Sequence, residues 1–70
     1  MDFKIGECLK IKVKQKKDMK SNQVIQKVRV LKCHDNFVTF MILGDYYNYV
    51  ESFLYSDFMT GWVRIIERKI

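Results

Sequence analysis

Leu9-Lys10-Ile11-Lys12-Val13-Lys14-Gln15-Lys16 alternates between apolar and polar side chains, and almost every polar one is a lysine. In an extended chain, successive side chains leave opposite faces. Leu9, Ile11 and Val13 therefore share one side, and Lys10, Lys12, Lys14 and Lys16 share the other. A helix, at about 3.6 residues per turn, would spread the four lysines around its circumference. The stretch reads as a half-buried strand, and the rest of the chain can be placed around it.

Downstream, residues 17–23 are polar and contain Ser21-Asn22, so they are expected to form a loop. Residues 24–33 resume the alternation, with Val28 and Val30 on one face and Lys27 and Arg29 on the other. His34-Asp35-Asn36 is a turn signal, because Asp and Asn tolerate left-handed backbone and hydrogen-bond their own main chain. Residues 37–43 are apolar on both faces, the mark of a central strand or one covered on its outer side. Gly44-Asp45 opens another turn, residues 49–55 form a fourth strand, and Ser56-Asp57 follows it. Residues 62–67 form a fifth strand, with Val63 and Ile65 inward and Trp62, Arg64 and Ile66 outward. One segment also admits a helical reading: in residues 49–59, Val50, Phe53, Leu54 and Phe58 recur at i, i+3, i+4 and i+8.

Composition agrees with sheet. Val, Ile, Thr and the aromatics make up 26 of 70 residues, and Ala, the best helix former, is absent. Five short strands with turn signals between them point to an all-β chain, a single five-stranded SH3-like barrel over residues 1–70. Residues 56–61 are expected to form the lone 3₁₀ turn that such barrels carry before the last strand. An OB-fold is the alternative, but residues 44–48 are too few for the helix it usually carries between its third and fourth strands. Seventy residues, 49% of them apolar, suffice for one core but not for a core and a deep substrate cavity.

The net charge of +5 is uneven. Residues 1–35 hold ten Lys/Arg against four Asp/Glu, and residues 36–70 hold three against four. A basic first half points to an anionic partner or to a solubilising surface. Cys8, Cys33 and His34 are too few for a structural zinc site. Residues 1–6 contain no apolar signal-peptide core, and no apolar run is long enough to span a bilayer. The chain is read as cytoplasmic, with reduced thiols and no membrane partner. Without a nucleophile–base pair, a carboxylate pair or a glycine-rich phosphate loop, no enzyme, cofactor, metal or small-molecule substrate is expected.

Two features remain. Lys10, Lys12, Lys14 and Lys16 repeat at about 6.6–6.8 Å along a strand face. Lys17 and Lys20 extend them into the expected loop, and Lys27 and Arg29 join them if the first two strands pair antiparallel. Such a face suits the phosphates of DNA or RNA. It equally suits the protection of an exposed edge strand, where lysines block aggregation. The second feature is aromatic: Tyr46, Tyr47, Tyr49 and Trp62, with Arg64 beside Trp62, form a candidate surface for a protein partner or a second copy of the chain.

The residues Glu51-Ser52-Phe53-Leu54-Tyr55-Ser56-Asp57, followed by Gly61-Trp62-Val63, resemble the Veg-like group of small proteins from low-GC Gram-positive bacteria. That resemblance implies an SH3-like barrel and a cytosolic regulatory or nucleic-acid-associated adaptor, and it carries over no catalytic residue. A high content of Lys, Ile, Asn, Phe and Tyr, 29 of 70, fits an AT-rich bacterial genome.

Overall fold

Every strand is antiparallel to its neighbours in one five-stranded sheet, seen in a computed structural model that describes residues 2–17 and 20–69. The elements are β1 (Cys8–Lys17), β2 (Lys20–Cys33), β3 (Phe37–Leu43), β4 (Asn48–Leu54), α1 (Tyr55–Met59) and β5 (Val63–Lys69). The spatial order is β4-β3-β2-β1-β5, so the last strand returns to lie beside the first. β4 and β5 are the two edges, and among the described residues no pairing between them closes the sheet into a barrel.

The alternation in β1 decides which side is buried. Leu9 and Ile11 point inward, and opposite them stand Val28 and, on β5, Ile65. Val30, Val38, Phe40, Ile42, Phe53 and Val63 complete the core from the other strands. β3 is a central strand, as its apolar run requires: Val38, Phe40 and Ile42 are buried, and Phe37, Thr39 and Met41 are half-buried on the opposite face. Phe40 is the hub. Its ring lies 5.6 Å from Phe3, 5.8 Å from Phe53 and 6.4 Å from Phe58, in tilted or edge-on geometry.

Three expectations need correction. Lys17 and residues 20–23 are strand, not loop, and residues 18 and 19 of the expected loop lie outside the described residues. β1 runs through Lys17, β2 begins at Lys20, and Ser21, Asn22 and Gln23 pair with Lys16, Gln15 and Lys14. β5 reaches β1 only as far as Val13, and β3 reaches β2 only from Lys27, so the β1–β2 hairpin extends beyond the sheet as a two-stranded arm. The paired residues 14–17 and 20–23 of this arm show no apolar alternation, so their sequence reads as coil. Second, the expected 3₁₀ turn is the α-helical turn α1, with Thr60 N–H bonded to Ser56 O at 3.0 Å. It takes Tyr55 out of the expected fourth strand. Tyr55 and Phe58, three residues apart, both turn onto Phe3. Only this end of the 49–59 segment is helical; the rest is β4. Gly61, at φ 82°, ends the turn in the left-handed region that favours glycine. Third, β1 is not an edge strand, since β2 and β5 flank it from Cys8 to Val13.

The turn at residues 34–36 forms as expected, with His34 N–H donating to Phe37 O at 2.8 Å and the imidazole stacked on Phe37. The thiols of Cys8 and Cys33 are free, and Cys33 Sγ–H donates to the carbonyl of Phe3.

The two ends of the chain are joined by a charged clamp. Glu7 is buried, and Arg68 donates to both its carboxylate oxygens, at 2.9 and 3.0 Å. The guanidinium also donates to the carbonyl of Asp2 at 2.6 Å and lies 5.6 Å from the Phe3 ring centre. Gly6 N–H bonds to Val30 O and Val30 N–H to Glu7 O, which stitches the segment before β1 to β2. The Arg68 hydrogen bonds hold the Glu7 carboxyl below its ordinary value of 4.5, outweighing burial, which acts the other way. A folded-state value below the unfolded one means the clamp stabilises fully above pH 4.5 and is lost as pH falls through the folded value. Glu7→Gln is expected to cost about 1.5–3 kcal/mol, the range for hydrogen bonds to a charged group. In thermal melts across acid pH, the variant's midpoint should fall less steeply below pH 4.5 than that of the wild type.

Candidate nucleic-acid interface

The face of the sheet opposite the core gathers cations from three strands. In an antiparallel ladder, directly opposed residues send their side chains to the same side. Lys10 stands between Lys27 on β2 and Glu67 on β5; Lys12 stands between Ile25 and Arg64; Cys8 faces Arg29. Lys10, Lys12, Lys14, Lys27, Arg29 and Arg64 therefore share one face, with Glu67 the carboxylate among them. Lys27, Arg29 and Arg64 are exposed, while the three β1 lysines are half-buried between neighbouring strands. Half-burial suits long aliphatic stems that lie along apolar surface and hold their ammonium groups in water.

Like charges directly opposite one another, as Lys10 and Lys27 are, destabilise a sheet. Glu67 offsets this, with its Oε2 3.4 Å from Lys10 Nζ. The β5 register shift between Lys10 and Ile11 puts Glu67 there. A cavity of about 240 Å³ opens beside this row, lined by Cys8, Leu9, Lys10, Lys27, Val28, Leu43 and Glu67.

Sequence reasoning brought Lys10, Lys12, Lys14, Lys27 and Arg29 together, and the ladder does the same. The backbones of Lys16, Lys17 and Lys20 continue into the arm, where Lys17 pairs with Lys20; their side chains lie outside the described residues. Two cations were missed. Arg64, grouped in the sequence with Trp62 as a protein contact, stands across from Lys12. Lys32, opposite Thr39, adds an exposed charge farther along β2. No local pattern marks Arg64 as a neighbour of Lys12, because β5 reaches β1 from the far end of the chain. Lys32 was visible only as the next outward residue beyond Leu31, where the β2–β3 register shifts.

The aromatic candidates fall into two places. Tyr46 is almost wholly exposed in the β3–β4 turn, and the Tyr47 and Tyr49 rings lie 6.0 Å apart. Gln26 Nε2 donates to Tyr49 Oη at 3.0 Å. Gly44 makes this turn possible, since a Cβ there would run into the Tyr47 carbonyl. Trp62 sits at the start of the opposite edge, where its carbonyl accepts a hydrogen bond from Lys14 N–H. The tyrosines and Trp62 thus lie against different edge strands.

Among the described residues, no group of three or more His, Cys, Asp or Glu side chains is assembled to hold a metal ion, and no helix is long and apolar enough to cross a membrane. No family model matches this chain, and neither does any curated protein or solved structure.

Because the Lys10–Glu67 pair is substantially exposed, its contribution to folding is small. Glu67→Gln should shift stability by less than about 1 kcal/mol in urea denaturation, while raising the positive charge of the face by one.

Proposed function

We propose that this protein is a non-catalytic nucleic-acid-binding module that grips phosphates with the outer face of β1, β2 and β5. What carries the reading is the convergence of Lys10, Lys12, Lys14, Lys27, Arg29 and Arg64 on one face. Edge protection does not account for Lys10 and Lys12, whose strand is hydrogen-bonded on both sides. Phosphates bound to such a face release condensed counterions, and lysines, as point charges, read no bases. Binding is therefore salt-sensitive and tolerant of sequence, with Lys16, Lys17 and Lys20 of the arm as further contacts.

The helical turn directly before β5 and the return of β5 to β1 support an SH3-like barrel as the finer description of the fold. The Veg-like resemblance, which spans β4, α1 and the start of β5, supports a cytoplasmic bacterial adaptor rather than an enzyme.

The test is a fluorescence-anisotropy titration of single- and double-stranded oligonucleotides at two salt concentrations. With about four phosphates neutralised, affinity for a duplex should fall about 100-fold between 50 and 200 mM salt. Lys12→Glu together with Lys14→Glu should flatten the salt slope by about two and leave the thermal midpoint near that of the wild type. Glu67→Gln should strengthen binding. Affinity that ignores salt, or a salt slope left unchanged by the double reversal, defeats the reading.

A further inference from the structure

The two edges of the sheet are built differently. β5 carries Arg64, Glu67, Arg68 and Lys69, charges of the kind that keep an edge from pairing with another strand. β4, Asn-Tyr-Val-Glu-Ser-Phe-Leu, has one charge, Glu51, and no lysine or proline. Its outward side chains Val50 and Leu54 are 56% and 51% exposed.

Backbone direction follows from one hydrogen bond. Tyr55 N–H donates to Asn36 O at 3.0 Å, so Tyr55 faces β3. Because the N–H and C=O groups of successive strand residues alternate in direction, those of Phe53, Glu51 and Tyr49 also face β3. Those of Asn48, Val50 and Ser52, with the N–H of Leu54, face away from the sheet.

We propose that β4 pairs antiparallel with β4 of a second copy of this chain, about a two-fold axis through Ser52. In that register Val50 meets Leu54 of the partner, Ser52 meets the partner's Ser52, and Leu54 meets the partner's Val50. Ser52 and the partner's Ser52 exchange two bonds, and in each Val50–Leu54 pair the Leu54 N–H donates to the Val50 carbonyl, because the Leu54 carbonyl, at the N-cap of α1, already accepts the first bond of that helical turn. Two registers shifted towards the start of β4 are worse. Val50 opposite Ser52 sets Glu51 directly against the partner's Glu51, a like-charge pair. Val50 opposite Val50 carries Leu54 past the end of the partner strand, to Tyr46 in its turn.

A second copy fits this edge because the seam is self-complementary and nearly uncharged. The axis is normal to the sheet, so the two apolar strips of Val50 and Leu54 merge on one face. The cationic columns stay apart: β2 and the partner's β2 are five strand spacings from each other, about 24 Å along the sheet. That exceeds the Debye length of about 8 Å at physiological salt, so the net charge of each chain opposes pairing only weakly. One pair of strand edges buries less than the roughly 1,200 Å² of a stable complex, so the dimer is a weak one. The proposal is independent of nucleic-acid binding.

Sedimentation equilibrium from about 10 μM to 1 mM, which brackets micromolar affinity, tests it. The wild-type mass should rise from 8.5 kDa towards twice that value. Ser52→Lys, which opposes two cations on the axis, should remain monomeric, and Trp62→Ala should dimerise like the wild type. Circular dichroism of Ser52→Lys checks that it folds. If it does not, Ser52→Cys in a Cys8→Ser, Cys33→Ser background decides the matter: mild oxidation should cross-link it to a dimer, and Thr39→Cys in the same background should not cross-link. A wild type that stays monomeric at the highest concentration overturns the proposal and leaves the edge to some other extended peptide or to none. So does a dimer that persists in Ser52→Lys or is lost in Trp62→Ala, or a failure of Ser52→Cys to cross-link.

Discussion

The two-sided hydrogen bonding of β1 is the constraint on which the molecule rests. β2 pairs with it through a short hairpin, and β5 pairs with it from the far end of the chain. With a partner on each side, β1 cannot rotate or slip by one residue without exposing Leu9 and Ile11 and burying the lysines. The pairing thereby settles two things at once: the apolar half of the alternation becomes the floor of the core, and the basic half becomes a surface in the middle of the sheet. The lysines are held at fixed intervals by the ladder and are not free to spread as they would on a loop.

The devices around β1 serve that arrangement. The segment before it, with Phe3 and Glu7, crosses to β2 and to Arg68, so the chain ends are tied where the first and last strands meet. Burying a carboxylate is costly unless it is paired and hydrogen-bonded. Here the bidentate guanidinium and the Lys4 N–H satisfy Glu7, and the same guanidinium covers Phe3. α1, a single turn, places Tyr55 and Phe58 on Phe3, and Phe58 also meets Phe40 and Phe53. In a chain this small, that aromatic cluster supplies much of the buried area that the strands alone would leave open.

The outer face follows a different logic. Among the described residues no second layer packs over it, so what lines it is free of the packing constraint that fixes the core face. Across it the character changes: cations dominate β5, β1 and β2, and apolar residues take over on β3 and β4 with Leu43, Val50 and Leu54. The two proposed contacts fall on different halves, phosphate on the cationic strands and a second copy at the β4 edge, so neither obstructs the other.

The sequence by itself determined whatever depends on neighbours along the chain. The alternation in residues 9–16 and 24–33 named the inward and outward residues, the doubly apolar run at 37–43 named the central strand, and the Asp-Asn turn was visible because those side chains bond locally. The tertiary structure alone decided the rest. It determined that β5 lies against β1, which removed β1 from the edge and brought Arg64 to Lys12. It made strands of polar residues 17 and 20–23, whose sequence shows no apolar alternation. It turned Tyr55 out of β4 into a helical turn, and it set Trp62 and the tyrosines against different strands. A side chain's facing is fixed by a two-residue period that any short window contains. Which strand lies next to which is settled by burial and backbone pairing between residues dozens of positions apart, and no local pattern records that.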